Sequence, residues 1–284
     1  MRLRSLLFVP GDRPDRFAKA AATGADALIF DLEDSVAPAR KAYAREAIAE
    51  RLAGRADGPA LLVRVNPLDS DAFGADLAAL AGGMAPDAVM LPKAEGADSI
   101  AEATSRLSAL GLGGVPLLPI ATETPAAMFT LGSYRQVAAS LIGLTWGAED
   151  LPVAIGAAAS REDDGRYTPP YEVARAFTLF AAAAAGVSPI DTVYPAIRDL
   201  DGLGRYAARA ARDGFTGMMA IHPDQVAPIN QAFTPSADAV AHARAIIAAF
   251  AASPGADALQ LDGKMIDAPH LKQAQRLLAR AGEA

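Results

Sequence analysis

The chain has 284 residues, of which 52% are hydrophobic and 21% charged. That length is large for one compact domain but ordinary for an α/β barrel, and the apolar share excludes a disordered chain. A formal charge of −7 argues against nucleic-acid binding, which needs a dense basic surface, and the absence of cysteine removes disulfides, thiolate nucleophiles and Cys-based metal sites.

Near the start, two arginines precede an apolar run of about five residues, too short for a signal-peptide core. No apolar stretch approaches the ~20 residues that a membrane-spanning helix needs. The expectation is a cytoplasmic protein with no membrane partner.

In chain order, a strand is expected at 5–9 (SLLFV), then a helix at 14–22. A strand at 26–32 (DALIFDL) and a helix at 38–53 follow, then a strand at 60–65 (ALLVRV) and a helix at 71–82. The next pairs are a strand at 87–91 (DAVML) with a helix at 97–110, and a strand at 116–120 (PLLPI) with a helix at 124–132. Strands at 140–144 (SLIGL), 190–194 (IDTVY) and 217–221 (GMMAI) alternate with helices at 168–185 and 200–212. The strands are nearly continuous in apolar residues, as parallel strands buried on both faces must be. Strands alternating with helices imply right-handed crossover units, and eight of them imply a (β/α)8 TIM barrel.

Residues 235–284 hold two further helical patterns, 236–252 with Ser236 as N-cap and 268–282 ended by Gly282, and no further strand of this kind. The expected division is a barrel over 1–234 that carries the active site, followed by a C-terminal helical extension over 235–284.

Active sites of such barrels lie at the C-terminal ends of the strands. Six of the eight expected strands end there in a charged or titratable group. Asp31, Glu33 and Asp34 follow the second strand, and Arg64 and Asn66 end the third. Lys93 follows the fourth, Glu123 the fifth, Glu149 and Asp150 the sixth, and His222 the eighth. At the opposite ends, Asp26 and Asp87 are expected at the surface.

Each of these carboxylates could simply cap the next helix. Glu123 fits that role less well, because Thr122 or Thr124 is the better cap. His222, before Pro223, is first of all a structural hydrogen-bonding residue. Arg64 and Lys93 sit beside buried strands, where an unpaired charge is costly, so both need anionic partners. Two carboxylates at the ends of neighbouring strands five and six suit a hard divalent ion such as magnesium. An arginine on the same rim can fork onto a substrate carboxylate. Together these groups suit metal-assisted stabilisation of an enolate.

The motifs LLFVPGDRPDRF, ALIFDLEDSV, VRVN, LPKAE, IATETPAA, WGAEDL, IHPDQ and GKMIDAPH, in that order, resemble those of the citrate lyase beta-subunit family. That family sits within the wider group of magnesium-dependent acyl-CoA lyases and HpcH/HpaI aldolases. The resemblance implies a barrel of the phosphoenolpyruvate/pyruvate type. It implies magnesium on Glu123 and Asp150, a substrate carboxylate on Arg64, and further substrate contacts from the backbone of Gly147, Ala148 and Glu149. Glu33 and Asp34 would bind metal-bound waters or order Arg64 and Lys93. Asp267 would reach a neighbouring subunit's site and handle a proton there. Phe8, Pro10, Arg13 and Lys19 lie where relatives receive coenzyme A.

The implied reaction cleaves a 3-hydroxyacyl-CoA of the citryl, citramalyl or malyl type to acetyl-CoA and oxaloacetate, pyruvate or glyoxylate. Thioester hydrolysis and malate-synthase-like condensation are the alternatives on the same substrates. The implied partners are the CoA ester and the 2-oxoacid. A homo-oligomer is also implied, either a trimer or a dimer of trimers, with the tail packed on a neighbour. Full citrate lyase activity would add alpha and gamma subunits. By length the chain reads as a stand-alone beta-type protein.

Overall fold

The computed structural model describes residues 1–55 and 57–283. By its internal contacts it divides into two compact units, Met1–Asn230 and Gln231–Ala284.

The first unit is a (β/α)8 barrel. Its strands are β1 (Ser5–Pro10), β2 (Ala27–Asp31), β3 (Ala60–Arg64), β4 (Ala88–Leu91), β5 (Leu117–Pro119), β6 (Gly143–Leu144), β7 (Ser188–Asp191) and β8 (Gly217–Ala220). They run in the order β5-β4-β3-β2-β1-β8-β7-β6, with every pairing parallel. The last seam, between β5 and β6, is held by isolated contacts. Ile142 N–H donates to the Leu117 carbonyl at 3.0 Å and Thr145 N–H to the Pro119 carbonyl at 3.1 Å. Proline has no N–H to give, so Pro119, whose carbonyl faces this seam, leaves it one donor short. β5 and β6 are accordingly the shortest strands of the barrel, at three and two residues.

Side chains alternate across a strand, so one set fills the barrel and the other meets the helices. Leu6, Ile29, Leu62, Met90, Leu118, Ile120, Ile190 and Met219 form the inner set, all buried. On the outer side Phe30 of β2 packs on Phe17, ring centres 4.5 Å apart.

The surrounding helices are α1 (Phe17–Ala21), α2 (Lys41–Ala53), α3 (Asp71–Ala81), α4 (Ala97–Ala109), α5 (Asp150–Ile155), α6 (Pro169–Ala185), α7 (Leu200–Asp213) and α8 (Val226–Ala232). The helix expected at 124–132 is absent as an α-helix. The chain there forms a 3-10 turn at Ala127–Phe129 and a kinked 3-10 segment at Leu131–Ser140, which breaks helical geometry at Val137. α5 and α8 are short helices without an apolar stripe long enough to stand out in the sequence.

Asp26 and Asp87 are not free surface residues. Asp26 accepts from the backbone N–H of Arg4 at 2.8 Å and from its guanidinium at 2.8 and 2.9 Å. Asp87 accepts from Leu61 N–H at 2.7 Å and from Arg55 at 2.6 Å. The first residues of a strand carry N–H groups with no ladder partner, and these carboxylates supply one.

The second unit contains α9 (Ala237–Ala252), β9 (Ala258–Leu261), β10 (Lys264–Asp267) and α10 (Ala268–Ala281). The expectation of a purely helical tail is corrected by the antiparallel hairpin β9–β10. Its turn is Asp262-Gly263, both at positive φ (49° and 78°), which the Asp-Gly pair tolerates. Ala243, Ile246, Ile266 and Ala274 form this unit's own core. Ser236 caps α9 as expected, accepting from Ala239 N–H. Among the described residues no helix is long and apolar enough to cross a membrane.

Candidate active site

The parallel register of β2 and β3 sets Asp31 directly beside Arg64. The two side chains form a fork: Arg64 Nε donates to Asp31 Oδ1 and Nη2 to Oδ2, both at 2.7 Å. Nη1 points the other way, 3.0 Å from Glu33 and 3.5 Å from Asp34. The guanidinium carbon lies 4.9 Å from the centre of the Phe8 ring. Burial opposes the charge of Arg64, but the bonds from Asp31 and the field of Glu33 and Asp34 outweigh it and hold the guanidinium ionised. Burial also opposes the charge on Asp31, and Arg64 more than compensates, leaving that carboxyl below the usual range.

Lys93 follows β4 in a left-handed conformation, φ 52°, which non-glycine residues seldom adopt. This turn aims its backbone N–H at Glu123 Oε2, 2.6 Å away. Its ammonium reaches back to Glu33 at 2.8 Å and lies 3.6 Å from Asp150. Lys93 therefore touches three carboxylates that stand far apart in sequence.

Glu123 does not cap the chain that follows it. Thr124 does, accepting from Ala127 N–H at 3.2 Å while donating to Glu95 at 2.6 Å. The Glu123 side chain is only 4% exposed. Burial, together with the charges of Glu33 and Asp150, pushes its carboxyl up to about 8 against the pull of the Lys93 amide and ammonium. Gly147 packs against it so closely that a Cβ there would lie 2.5 Å from Glu123 Cγ. No side chain fits at that position, which explains the glycine in WGAEDL. Asp150 opens α5 and remains partly exposed, at 37% of its side chain.

These groups surround a cavity of about 790 Å³ at the C-terminal ends of the strands. Of the residues expected at the site, Phe8, Pro10, Lys19, Asp34, Arg64, Glu123, Gly147, Ala148, Glu149 and Asp150 line it. Glu33 and Lys93 stand behind this lining, paired with each other, and Glu33 is also paired with Arg64. Arg13 lies outside it, forked onto Asp15 at 2.9 Å. Asp267 belongs to the second unit, where it caps α10 in a reciprocal pair with His270. His222 lines the cavity and accepts from Asp224 N–H at 3.3 Å.

Sequence reasoning did not single out Arg16, Ser35 and Thr192, which also line the cavity, and it left Asp31 as one more rim carboxylate. Asp31 was findable: an ionisable residue closing a fully apolar strand, in register with an arginine on the next.

Such a mouth can hold a hard cation on carboxylate oxygens and an anionic substrate on Arg64. Among the described residues no three histidine, aspartate or glutamate side chains form a closed cage. The two-carboxylate arrangement leaves coordination places for substrate and water, as magnesium sites do.

A barrel with this rim of carboxylates, arginine and lysine belongs to a recognisable class. Residues 4–223 match the HpcH/HpaI aldolase/citrate lyase family, and the chain belongs to that family. It is 39% identical over 282 residues to a citrate lyase subunit beta-like protein of Mycobacterium tuberculosis, covering 98% of this chain and 95% of the relative. It is 34% identical to the mitochondrial citramalyl-CoA lyase of Rattus norvegicus, covering 98% and 86%. Its fold superposes on the crystal structure of CitE from Mycobacterium tuberculosis in complex with magnesium, acetoacetate and coenzyme A, with a TM-score of 0.80. That match has 37% identity and covers 99% of this chain and all of that one.

Proposed function

We propose that the protein is a magnesium-dependent carbon–carbon lyase. Its substrate is a 3-hydroxyacyl-CoA thioester bearing a distal carboxylate, of the citramalyl, malyl or citryl type, and its products are acetyl-CoA and a 2-oxoacid. The observation that carries this reading is the convergence of buried Glu123, Asp150 and Asp31-held Arg64 on one cavity. The CitE neighbour's complex with magnesium, acetoacetate and coenzyme A supports it.

The donor set fits magnesium. Glu123 and Asp150 offer hard carboxylate oxygens, and among the described residues Glu123 has a single neutral hydrogen bond, from the Lys93 amide, to offset its burial. When bound, magnesium supplies Lewis-acid charge to the oxygens of the oxoacid half. The chain's own residues do the rest. Arg64, locked on one side by Asp31, presents Nη1 to the substrate carboxylate. The amides of Gly147, Ala148 and Glu149 bind the same acid end. Lys93 holds Glu33 and fixes Glu123 through its amide. Arg16 and Lys19 offer positive charge to the phosphates of coenzyme A, with Phe8 and Pro10 as apolar neighbours.

Asp267 of one subunit handles the proton at the acetyl carbon in the site of another, and the protein works as a cytoplasmic homotrimer. Val173, Phe177 and Phe180 support assembly. They fall at helical spacing on one face of α6 and are 46%, 48% and 64% exposed, an apolar stripe that a monomer seldom leaves bare.

The test is incubation with citryl-, citramalyl- and malyl-CoA, with and without magnesium, followed by product identification. The lyase reading expects acetyl-CoA plus an oxoacid, only with the metal. Release of free CoA and the hydroxy-diacid would mean thioester hydrolysis instead. Sedimentation analysis gives the subunit number, and a monomer would contradict the shared site.

A further inference from the structure

Asp191, the last residue of β7, is completely buried and does not itself line the cavity. Four hydrogen bonds and one further ion-pair contact converge on it. Its Oδ1 accepts from Trp146 Nε1 at 2.6 Å, from Thr192 N–H at 2.9 Å and from the Tyr206 hydroxyl at 3.1 Å. Its Oδ2 accepts from Arg175 Nε at 2.9 Å and lies 2.8 Å from Nη2. Arg175 is itself 4% exposed, bonded to Asp213 at 2.9 Å and seated over Phe215.

A buried ion pair of this kind adds little stability over an apolar pair of similar shape. Its value lies in direction. The shortest of its bonds ends on the indole of Trp146, which is fully buried and edge-on to Tyr167 at 5.0 Å. A packed ring can rock; a ring held by its N–H against a fixed carboxylate cannot. Trp146 immediately precedes the Gly147–Asp150 segment. On the other side Gly147 is pressed against Glu123, with no room even for a methyl group. The segment is therefore clamped between Asp191, through the indole, and Glu123. Thr192, whose N–H also donates to Asp191 Oδ1, lines the cavity as well.

We propose that Asp191 and Trp146 are positioning residues. They fix the backbone of Gly147–Asp150 so that its amides and the Asp150 carboxylate meet the oxoacid half of the substrate. The inference rests on the function proposed above and adds to it the device that sets the site's geometry. The oxoacid end is set through this hub and the CoA end is not, because the CoA-facing residues Phe8, Pro10, Arg16 and Lys19 come from β1 and the segment after it.

The test uses the full chain with magnesium, pyruvate and coenzyme A as probes. Trp146→Phe keeps the ring packing and removes the indole N–H; Asp191→Asn removes the charge. By calorimetry in saturating magnesium, both should weaken pyruvate binding by about 10- to 100-fold, the usual cost of losing an outer-shell partner. Coenzyme A affinity should not change. In hydrogen exchange, the peptide over residues 145–150 should exchange faster in both variants, with β1–β4 peptides unaltered. Should Asp191→Asn fail to fold, Trp146→Phe decides. Unchanged pyruvate affinity together with unchanged exchange at 145–150 in Trp146→Phe overturns the proposal, and so does an equal loss of both ligands. A wild-type protein that binds no pyruvate with magnesium overturns the functional reading instead, and the exchange rates at 145–150 then still decide the positioning role.

Discussion

The two ends of the barrel carry ion pairs of opposite design. At the base each carboxylate has its own arginine and also accepts a strand-opening N–H, as Asp26 does with Arg4 and Asp87 with Arg55. At the mouth Asp31, Glu33, Asp34, Glu123, Glu149 and Asp150 gather around Arg64 and Lys93. Base pairs are closed accounts of charge, and they hold strand ends in place. The mouth has more carboxyl groups than cations to meet them, and its buried Glu123 is held near neutrality by its surroundings at ordinary pH. Charge crowded in this way opposes folding and favours a bound cation.

The largest break in this contrast comes from Glu123→Gln. Turnover with magnesium should fall at least about a hundredfold, the scale expected for loss of a metal ligand. Without magnesium the same variant should be more stable than wild type, and increasingly so with pH. The sign follows from the raised carboxyl. The folded protein keeps the Glu123 proton up to about 8, whereas the unfolded chain releases it near 4.5. The stabilisation linked to that proton is therefore complete below about 4.5 and disappears as pH rises through 8. Glutamine has no proton to lose. Melting curves of the metal-free proteins at pH 5 and pH 8 check this, and a variant less stable than wild type at pH 8 would refute charge crowding.

Arg64→Lys should come next, lowering kcat/KM by roughly 10- to 100-fold. Lysine keeps the charge but cannot bond Asp31 with two nitrogens while offering a third to substrate. Steady-state kinetics read the effect, and a variant within twofold of wild type would show that the fork onto Asp31 carries no function.

Asp267→Ala separates two roles. Loss of the α10 cap should cost about 1 kcal/mol in the second unit. If Asp267 also serves a neighbour's site, mixing inactive Asp267→Ala with inactive Arg64→Ala subunits should restore part of the activity. No recovery after demonstrated subunit exchange would exclude the shared site.

The smallest effect is expected at the base. Burial works against the Asp26 charge, but the Arg4 guanidinium and N–H overcome it and hold the carboxyl below its ordinary range. Its contribution is present above about pH 4 and lost as pH falls through the folded value. Asp26→Asn should cost about 1 kcal/mol at pH 7, less in strong acid, and leave activity unchanged. A loss of activity would mean that the two ends of the barrel are coupled.

Much of the barrel was legible because parallel strands buried on both faces leave unbroken apolar runs, as in ALIFD and AVML. The rim carboxylates were legible for the same reason, since each closes such a run. The β5–β6 seam, short of a donor at Pro119, was overestimated in length, because apolar content says nothing about missing donors. The hairpin in the tail had its signal, Asp262-Gly263, but its strands are only four residues long and mostly exposed. Trp146, Arg175, Asp191 and Tyr206 come from separate elements, and no spacing in the sequence announces that they meet. Nor does Lys93 advertise its left-handed backbone, which tertiary bonds to Glu33 and Glu123 impose.

The most direct test of the mouth as a cation site is a calorimetric titration of magnesium into wild type, Glu123→Gln and Asp26→Asn at pH 8. The contrast between the two ends predicts a saturable single-site isotherm for wild type and Asp26→Asn, and no measurable binding for Glu123→Gln. Equal binding by Glu123→Gln and wild type would contradict it.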